Sequence, residues 1–300
     1  MKEEQSKLLE DKAKQIEDII KQFLPDEVGY EKTVIEAMNY SFLAGGKRLR
    51  PMLMLESYKI FGGDSKIIEP FMAALEMIHT YSLIHDDLPA MDNDEYRRGR
   101  KTTHVVYGEA MAILAGDGLL TYAFETAVKA LEVEGSDAAK VVRAIRILAN
   151  KAGLYGMLGG QCVDVEAEKK NLEVDEKKLV YIHEKKTAAL IQAALMIGAV
   201  LAGADEQTIN TMERIGFLVG VAFQIRDDIL DVTGTLEELG KPIGSDEKNG
   251  KTTYITLKGL DEAKRDVEAY SEEAVKLCEA LPGDTEFLTE LVKSLCYRTK

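Results

Sequence analysis

The segment from residue 81 to residue 104 carries two kinds of charge in close succession. Its carboxylates and guanidinium groups belong to Asp86, Asp87, Asp92, Arg97, Arg98 and Arg100. Carboxylates this close raise one another's pKa unless a cation lies between them, and hard divalent cations such as Mg²⁺ prefer oxygen ligands. The N–H donors of adjacent arginines match the oxygens of a phosphate. The segment indicates a metal-bridged phosphate ester, although a solvated helix end followed by a basic loop remains open at this point.

A second carboxylate cluster follows much later in the chain. Asp227 and Asp231 are four residues apart, so their side chains leave one face of a helix, and Asp228 lies beside them. The chain has two Asp-Asp pairs, this one and the pair that begins at Asp86, and each follows an apolar helical segment. Because burying so many carboxylates without cations is very costly, the repeated pattern favours a metal site over a solvated surface.

Cationic side chains lie where helices are predicted to end or begin. Lys47 and Arg50 follow the pair Gly45-Gly46, where backbone N–H groups and cations could hold an anion. Cations that favour the C-terminus of a helix would give the same pattern. Lys186 lies at the predicted start of a long apolar helix, where a cation opposes the helix dipole, so an anionic partner is favoured.

A core helix is predicted over residues 67–85, and it leads directly into Asp86. Its apolar side chains recur mostly at three- and four-residue steps: Ile68, Phe71, Met72, Leu75, Ile78 and Leu83. His79 lies two turns before Asp86 on the same face, where it is either an ordinary core histidine or a donor to a phosphate. Asp86 and Asp92 would diverge by roughly 120° on a straight helix, so we expect the backbone to unwind near Pro89.

The composition predicts an all-α fold. Ala, Leu, Glu and Lys dominate, strand-like runs are scarce, and no proline occurs between Pro89 and Pro242. No low-complexity linker marks a boundary, so residues 1–300 are expected to form one domain, a single large bundle of roughly ten or more helices. Further helices are predicted over residues 3–23, 28–44, 103–132, 137–153, 260–281 and 285–296.

Charge and cysteine content narrow the function classes. The net charge is −14, from 52 acidic and 38 basic side chains, which argues against a nucleic-acid partner and against anionic membrane surfaces. Cys162, Cys278 and Cys296 are odd in number and form no CxxC motif, so a reduced, cytoplasmic protein is expected. The first 20 residues are charged throughout and lack the apolar core of a signal peptide.

Residues 187–204 form an uncharged run of 18 residues, which is the threshold length for a membrane span. The run is rich in Ala and Gly, includes Gln192, and lies among long amphipathic helices. These features favour a buried central helix, so we expect no transmembrane segment.

In their order and spacing, these motifs resemble those of the trans-type polyprenyl diphosphate synthases, and the resemblance covers nearly the whole chain. The matching segments are Gly45-Gly46-Lys47-Arg48-Leu49-Arg50-Pro51, Asp86 to Asp92 with Arg97-Arg98-Gly99, Gly159-Gly160-Gln161, Lys186-Thr187, Phe223-Gln224 with Asp227 to Asp231, and the loop of Lys241 and Lys251. Each segment is weak alone, but the set is highly specific. The four residues between Asp87 and Asp92 resemble the bacterial form of the first motif. Glu95-Tyr96 stands where close relatives usually have Asp-Leu, and this departure leaves every inferred metal ligand in place.

The resemblance implies an isoprenoid synthase-like bundle around a central cavity, a homodimer, and about three Mg²⁺ ions per active site. Asp86 and Asp92 would hold two of these ions and Asp227 the third. The full set of implied metal ligands is Asp86, Asp87, Asp92, Asp227, Asp228 and Asp231. The implied substrates are isopentenyl diphosphate and an allylic diphosphate, either dimethylallyl or geranyl diphosphate.

The resemblance also divides the basic residues between the two substrates. The allylic diphosphate would be bound by Arg97, Lys186 and Lys251, with Lys241 nearby. Isopentenyl diphosphate would be held by Lys47, Arg50, His79 and Arg98. Backbone carbonyls near Lys186 and Thr187, with the Gln224 amide, could stabilise the allylic cation left when the diphosphate departs, and Thr187 and Gln224 are also expected to bind substrate. The residues implied to be catalytic are Asp86, Asp92, Asp227, Lys186 and Gln224.

Tyr81, five residues before Asp86, resembles the bulky residue of bacterial farnesyl diphosphate synthases. It predicts a product of fifteen carbons, (2E,6E)-farnesyl diphosphate, with Ser82 and Ile78 also close to the growing tail, although an ordinary core tyrosine would look the same in sequence. The alternatives are a geranylgeranyl diphosphate synthase or a non-catalytic subunit of a heteromeric prenyl synthase, a class that tends to lose one aspartate cluster. A class I terpene cyclase is disfavoured, since cyclases usually carry an Asn/Ser/Glu metal motif in place of the second cluster.

Overall fold

The structure of the protein is a computed structural model, which describes residues 2–170, 172–234 and 252–296. Over these residues the chain is predominantly helical, so the predicted all-α fold is confirmed. The strands described are β1 (Tyr96–Arg97) and β2 (Arg100–Lys101), which form one antiparallel pair.

The chain divides into two compact units. Unit 1 comprises Met1–Leu55 and Asp64–Ile145, and unit 2 comprises Glu56–Gly63 and Arg146–Lys300. The expectation of a single domain over residues 1–300 stays a prediction.

The helices that begin in unit 1 are α1 (Lys2–Ile20), α2 (Lys32–Phe42), α3 (Leu49–Ile60), α4 (Ile68–Asp86), α5 (Thr103–Tyr107), α6 (Glu109–Val128) and α7 (Ala138–Ala152). Short 3₁₀ segments follow α1 at Lys21–Phe23 and α6 at Lys129–Glu132. The helices of unit 2 are α8 (Met157–Lys169), α9 (Glu176–Ile182), α10 (Ala189–Ala202), α11 (Glu206–Thr233), α12 (Tyr254–Lys258), α13 (Leu260–Glu279) and α14 (Glu286–Cys296).

Helix α4 is the centre of unit 1. Its apolar residues are buried on most sides, as expected for a helix inside a core rather than on a surface. It packs against α1, α2 and α6. The predicted core helix is confirmed, and its last residue is Asp86. This packing fixes the position from which the first aspartate cluster begins.

One predicted helix is broken. We expected a continuous helix over residues 103–132, whereas α5 ends at Tyr107 and α6 begins at Glu109. Gly108 lies between them with φ 84°, a backbone conformation that glycine adopts without a steric penalty. The break that this glycine makes between two helices was not predicted.

Unit 2 is built on α10 and α11, which pack against each other, and α11 also packs against α13. The residues Ala189–Leu201 of α10 are all buried, and a further cluster joins α11 to α12 and α13 through Val221, Ile225, Ile229, Tyr254, Ala263 and Val267. One helix, Glu176–Ala202, is long and apolar enough to cross a membrane, and 78% of its most apolar window is buried within the protein. A buried core helix can be equally long and apolar, and the burial of this helix is the burial expected of a core helix.

The start of the long apolar helix differs from the prediction. Lys186 and Thr187 do not open a helix; they lie inside one, in a π-helical segment, His183–Ala188, that joins α9 to α10. A π-helical turn contains an extra residue, so the side chains after it are rotated relative to an α-helix. The argument that Lys186 opposes a helix dipole at an N-terminus is therefore wrong.

Candidate active site

The first aspartate cluster follows the end of α4. The chain leaves the helix at Asp86, and the Asp92 N–H donates to the Asp86 carbonyl at 2.9 Å. Within the loop, the Leu88 carbonyl accepts from the Met91 N–H at 2.9 Å. The expected unwinding between Asp86 and Asp92 is confirmed, and it returns the backbone of Asp92 to the helix end. Asp86 is half-buried and Asp92 is exposed.

Asp87 forms a bidentate ion pair with Arg97. The Arg97 Nε lies 2.8 and 2.9 Å from the two Asp87 oxygens, and Nη2 lies 2.6 Å from Oδ1. Asp87 is only 4% exposed, and burial raises the pKa of its carboxyl group while the hydrogen bonds from Arg97 oppose that rise. Asp87 was predicted as a metal ligand and Arg97 as a diphosphate ligand, and here each fixes the orientation of the other.

Arg97 and Arg98 belong to a β-hairpin. Arg97 pairs with Arg100, so Arg98 and Gly99 form a two-residue turn, with φ 52° and 74°. Positive φ at both central residues is typical of the tight turns that suit twisted strands, and it is unfavourable for a residue with a long side chain. The Arg98 Nη1 donates to the Gly45 carbonyl. The turn therefore holds Arg98 in a strained conformation over the glycine pair.

Sterics explain why glycine occupies position 46 of the pair Gly45-Gly46. A Cβ atom on Gly46 would lie 2.6 Å from the Arg98 Nη1, and Gly46 has φ 134°. Arg48, which the resemblance did not assign to a substrate, is buried and donates to Glu76 and to the Phe42 carbonyl, each at 2.7 Å. The buried Arg48 side chain thus fixes this segment to α2 and α4 through its hydrogen bonds, while Lys47 is exposed.

Arg50 and His79 lie together in unit 1. The Arg50 Nη1 is 3.3 Å from His79 Nε2. Burial, and then the nearby positive charge of Arg50, lowers the pKa of His79 well below its usual range, so the imidazole is neutral at pH 7. Because a guanidinium only donates, Nε2 accepts, and the proton of the neutral ring is on Nδ1. His79 can therefore donate to an anion through Nδ1.

The second aspartate cluster lies on the last turns of α11. Asp227 and Asp231 are one turn apart on this helix, as predicted, although the helix continues through the Asp-Asp pair to Thr233 instead of ending there. Asp228 and Asp231 are buried, at 5% and 3% exposure. The Asp228 Oδ2 accepts from the Tyr254 N–H at 2.8 Å. Asp228 thus joins α11 to the first residue of α12.

Gln224 links this cluster to the π-helical segment. The Gln224 Oε1 accepts from the Thr187 hydroxyl at 3.1 Å, and Nε2 lies 3.4 Å from Asp228 Oδ1. Next to Thr187, the Lys186 Nζ donates to Asp164 Oδ2 at 2.6 Å. In unit 2, hydrogen bonds therefore connect Thr187, Gln224 and Asp228, and the ion pair of Lys186 with Asp164 lies next to Thr187 in sequence; together these residues are the polar network of unit 2.

A close approach of α8 holds the π-helical segment. A Cβ atom on Gly160 would lie 2.7 Å from the Lys185 carbonyl carbon and would overlap the Lys186 nitrogen. Glycine at this position lets the two backbones touch. This contact gives the Gly159-Gly160-Gln161 motif a structural reason.

The three residues predicted to limit product length lie on the last turns of α4. Ile78 is fully buried and Tyr81 is 6% exposed, with its ring centroid 5.8 Å from that of His85. Burial, and then the nearby charge of Asp86, raises the pKa of Tyr81 to about 12, so its hydroxyl is neutral at pH 7. Ser82 donates to the His79 carbonyl at 2.9 Å.

Two groups of predicted site residues, the loop lysines and the metal ligands, stay predictions. Lys241 and Lys251 lie outside the described residues. Over residues 2–170, 172–234 and 252–296, no three histidine, cysteine, aspartate or glutamate side chains converge closely enough to form a metal-binding group. The predicted metal ligands thus stay predictions.

Sequence reasoning did not assign the partners of the site residues. No pattern in the sequence assigned a role to Asp164 or to Tyr254. Their contacts join positions 22 and 26 residues apart. Periodicity reports which residues share a face of one helix, and it carries no signal for such contacts between helices.

Comparisons with known proteins agree with the motifs. The family model of polyprenyl synthetase matches residues 31–290. The farnesyl diphosphate synthase of Bacillus subtilis is 43% identical over 290 residues, which is 97% of each chain. The geranylgeranyl diphosphate synthase of Cyanophora paradoxa is 45% identical over 259 residues, or 86% of this chain and 85% of that protein.

A solved structure gives the same result. The geranyltransferase of Helicobacter pylori, complexed with magnesium and isoprenyl diphosphate, matches with a TM-score of 0.82 and 33% identity over 96% of this chain and 95% of that one. The family match spans far more than half of the sequence, and the fold agrees with it. We conclude that this chain belongs to the polyprenyl synthetase family and is a prenyltransferase, a trans-prenyl diphosphate synthase.

Proposed function

We propose that the chain condenses isopentenyl diphosphate with dimethylallyl or geranyl diphosphate and stops at (2E,6E)-farnesyl diphosphate. The observation that carries the product length is Tyr81, a buried side chain five residues before the end of α4 at Asp86. A tail growing from a diphosphate near Asp86 would run back along α4 and meet this ring just over one turn below. Because a packed protein interior has no room for an extra isoprene unit, the Tyr81 ring would block further elongation of the product sterically.

A geranylgeranyl diphosphate synthase is the second candidate, and a specific observation favours it. A relative with that name is 45% identical to this chain, about as similar as the Bacillus subtilis farnesyl diphosphate synthase. The two activities would differ in how much space the product tail has along α4 on the N-terminal side of Tyr81, where Ile78 is fully buried. Product length therefore separates the candidates.

The basic residues of unit 1 would bind diphosphate oxygens. Arg97 is oriented by Asp87, and Arg98 projects from a tight turn next to Gly45. We assign Arg97 to the allylic diphosphate, and Arg98 to isopentenyl diphosphate together with Lys47, Arg50 and His79. The neutral imidazole of His79 would donate through Nδ1, while Arg50 stabilises that tautomer.

The polar network of unit 2 would act on the allylic part of the substrate. Lys186, held by Asp164, would bind the leaving diphosphate, and Lys241 and Lys251 are assigned to the same group. The Gln224 amide is oriented by Thr187 and Asp228, so its carbonyl dipole could stabilise the allylic cation without rearranging. The isopentenyl double bond would attack that cation, and the released diphosphate would take the proton.

The aspartates fit a magnesium site by the chemistry of their donors, since Mg²⁺ binds through carboxylate oxygens and diphosphate. Asp86 and Asp92, at and after the end of α4, would hold two of the ions. Asp227, with Asp231 one turn further along α11, would hold the third. When bound, Mg²⁺ supplies charge neutralisation to the leaving diphosphate. About three ions per active site is the number that the resemblance implies, with Asp87 and Asp228 oriented by Arg97 and by the Tyr254 N–H.

The proposed assembly is a homodimer in the cytoplasm. Four apolar side chains around α5 and α6 are exposed by 38–50%, which supports a contact with a second copy: Val105, Val106, Ile113 and Leu114. Light scattering would then give twice the chain mass of 33.2 kDa, and a mass of one chain would contradict the dimer.

The proposed compartment is the cytoplasm. The three cysteines are free thiols, which supports a reducing compartment: Cys162, Cys278 and Cys296. Cell fractionation would check the location.

The metal dependence tests the reaction. Removing Mg²⁺ with a chelator, or replacing Asp86 or Asp227 by Ala, should lower turnover by at least about 10²-fold, the scale for losing one electrostatic contact to a transition state. Incorporation of labelled isopentenyl diphosphate is the measurement, and circular dichroism checks that the helices persist. Asp18→Ala, on the exposed face of α1, is the matched control and should keep full activity. Full activity in excess chelator would overturn the proposed mechanism.

A further inference from the structure

The arginine hairpin is docked on α2 by a residue outside every motif discussed above. The Tyr40 hydroxyl donates to the Lys101 carbonyl at 2.7 Å. The Tyr40 ring also lies under the Arg100 guanidinium, with 4.3 Å between Arg100 Cζ and the ring centroid. Both contacts are made to β2, by one side chain of α2.

These contacts matter because the hairpin is very small. Each of its strands has two residues, and such a pair is not stable in water without packing against the rest of a protein. In the β1–β2 register, Tyr96 pairs with Lys101 and Arg97 pairs with Arg100. A side chain that holds Lys101 and Arg100 therefore also holds the strand that carries Arg97 and the turn that carries Arg98.

Strand β1 and the turn have different anchors. Arg97 is bound to Asp87, and Arg98 donates to the Gly45 carbonyl. These anchors use the guanidinium groups that would bind diphosphate. Tyr40 is different, because it holds the hairpin through a backbone carbonyl and through Arg100, which has no assigned substrate. Tyr40 thus gives the hairpin an attachment that a substrate would not disturb, in addition to the longer contact of 3.5 Å between the Arg100 Nη1 and the Leu43 carbonyl.

We propose that Tyr40 is a positioning residue for the diphosphate-binding arginines: it holds β2 on α2 so that Arg98 stays over Gly45 and Gly46. This inference deepens the proposed function and rests on the assignment of Arg98 to isopentenyl diphosphate. Tyr40 acts through the hairpin and does not touch the substrate. Its loss should weaken substrate binding more than turnover.

Two substitutions at Tyr40 test the inference. Tyr40→Phe removes the hydrogen bond and keeps the ring under Arg100, whereas Tyr40→Leu removes both contacts. We expect KM for isopentenyl diphosphate to rise about 3- to 10-fold in Tyr40→Phe, the scale of one hydrogen bond, and further in Tyr40→Leu, with kcat changing less than about 2-fold. Tyr107→Phe is the matched control, because Tyr107 touches the Tyr40 ring edge-on at 5.6 Å. In the described part of the chain its hydroxyl forms no hydrogen bond with β1 or β2, and Arg100 acts on it only through its charge.

Hydrogen exchange supplies a readout that needs no activity. The Thr102 N–H donates to the Glu95 carbonyl at 3.0 Å across the base of the hairpin, so its exchange rate reports whether the hairpin is closed. We expect faster exchange in a peptide covering residues 95–102 in both Tyr40 variants, and unchanged exchange in Tyr107→Phe. If Tyr40→Leu does not fold, Tyr40→Phe carries the test alone.

The outcomes separate this inference from the proposed function. A wild-type protein without condensation activity would contradict the proposed function, while the exchange experiment would still test whether Tyr40 holds the hairpin. Unchanged exchange in Tyr40→Phe would overturn the inference. Faster exchange with KM unchanged in an active enzyme would also overturn it, because hairpin position would then not control substrate binding.

Discussion

Several side chains assigned to substrate or metal are held by a second residue of the protein. Arg97 is held by Asp87, Lys186 by Asp164, and Asp228 by the backbone N–H of Tyr254. A charged side chain fixed in this way loses less conformational freedom when it binds a ligand. The pairs therefore preorganise the site before substrate arrives.

Asp228 gives a prediction at the residue scale. Its carboxylate is 5% exposed and accepts from Tyr254, so Asp228→Ala should lower the free energy of unfolding by about 1.5–3 kcal/mol, the range for a hydrogen bond to a charged group. Asp228→Asn keeps an acceptor oxygen and should lose less. Urea unfolding without Mg²⁺ is the measurement, with Asp227→Ala as the control on the same helix turn. Equal losses in Asp228→Ala and Asp227→Ala would show that the contact with Tyr254 contributes nothing specific.

The residue types of the site could be predicted from sequence, and the pairings could not. Asp86 was predicted at the end of a buried helix because apolar periodicity stops there, and α4 ends at that residue. Asp87 was predicted only as a metal ligand, since nothing in the sequence shows that Arg97, ten residues later, returns to it. The return depends on the hairpin, whose two-residue strands are too short to give an alternating pattern.

At the scale of elements, irregular backbone presents several of the site residues. Arg98 lies in a tight turn, Asp92 in the loop after α4, and Lys186 in the π-helical segment. Regular helices provide the rigid support on which these short irregular segments are held. Sequence reasoning placed the helices well and missed the π-helical segment, because its residues read as ordinary helix formers and an added residue leaves no compositional trace.

The contact between α8 and the π-helical segment gives a prediction at this scale. Gly160→Ala would place a methyl group against the backbone of Lys185 and Lys186, which cannot move aside as a flexible side chain can. We expect a loss of about 1–3 kcal/mol in the free energy of unfolding, typical of overpacking, together with a lower kcat, because Lys186 would be displaced. Chemical denaturation and steady-state kinetics measure both.

The control for this substitution is Gly118→Ala in α6. There the added Cβ would meet the Met38 Sδ at 2.8 Å, which is the end of a flexible side chain that can adjust. Alanine also favours a helix over glycine by about 1 kcal/mol, so the net effect on stability should be close to zero. A Gly160→Ala variant as stable and active as Gly118→Ala would contradict the account of the close approach.

At the scale of the whole molecule, the charge distribution is suited to a polyanionic substrate. The protein carries a net charge of −14, yet the five-residue stretch 97–101 of the hairpin contains four cationic side chains: Arg97, Arg98, Arg100 and Lys101. An acidic surface repels polyanions in general, so a local cationic cluster directs them to one place. The composition could predict this contrast, and the structure adds that the cluster is held on α2.

Product length is the whole-molecule property that separates the proposed function from its main alternative. It depends on how far a chain can grow along α4 before it meets a rigidly packed side chain. Tyr81 is a buried aromatic side chain five residues before Asp86 on this helix. Tyr81→Ala would remove the ring, whereas Tyr81→Phe would keep its bulk and serves as the matched control.

The most direct test is chromatography of the dephosphorylated alcohols formed from isopentenyl diphosphate and geranyl diphosphate with Mg²⁺. The account predicts a fifteen-carbon product from the wild-type protein and from Tyr81→Phe, and products of twenty carbons or more from an active Tyr81→Ala variant. A wild-type product of twenty carbons, or an unchanged fifteen-carbon product from a folded and active Tyr81→Ala variant, would contradict it.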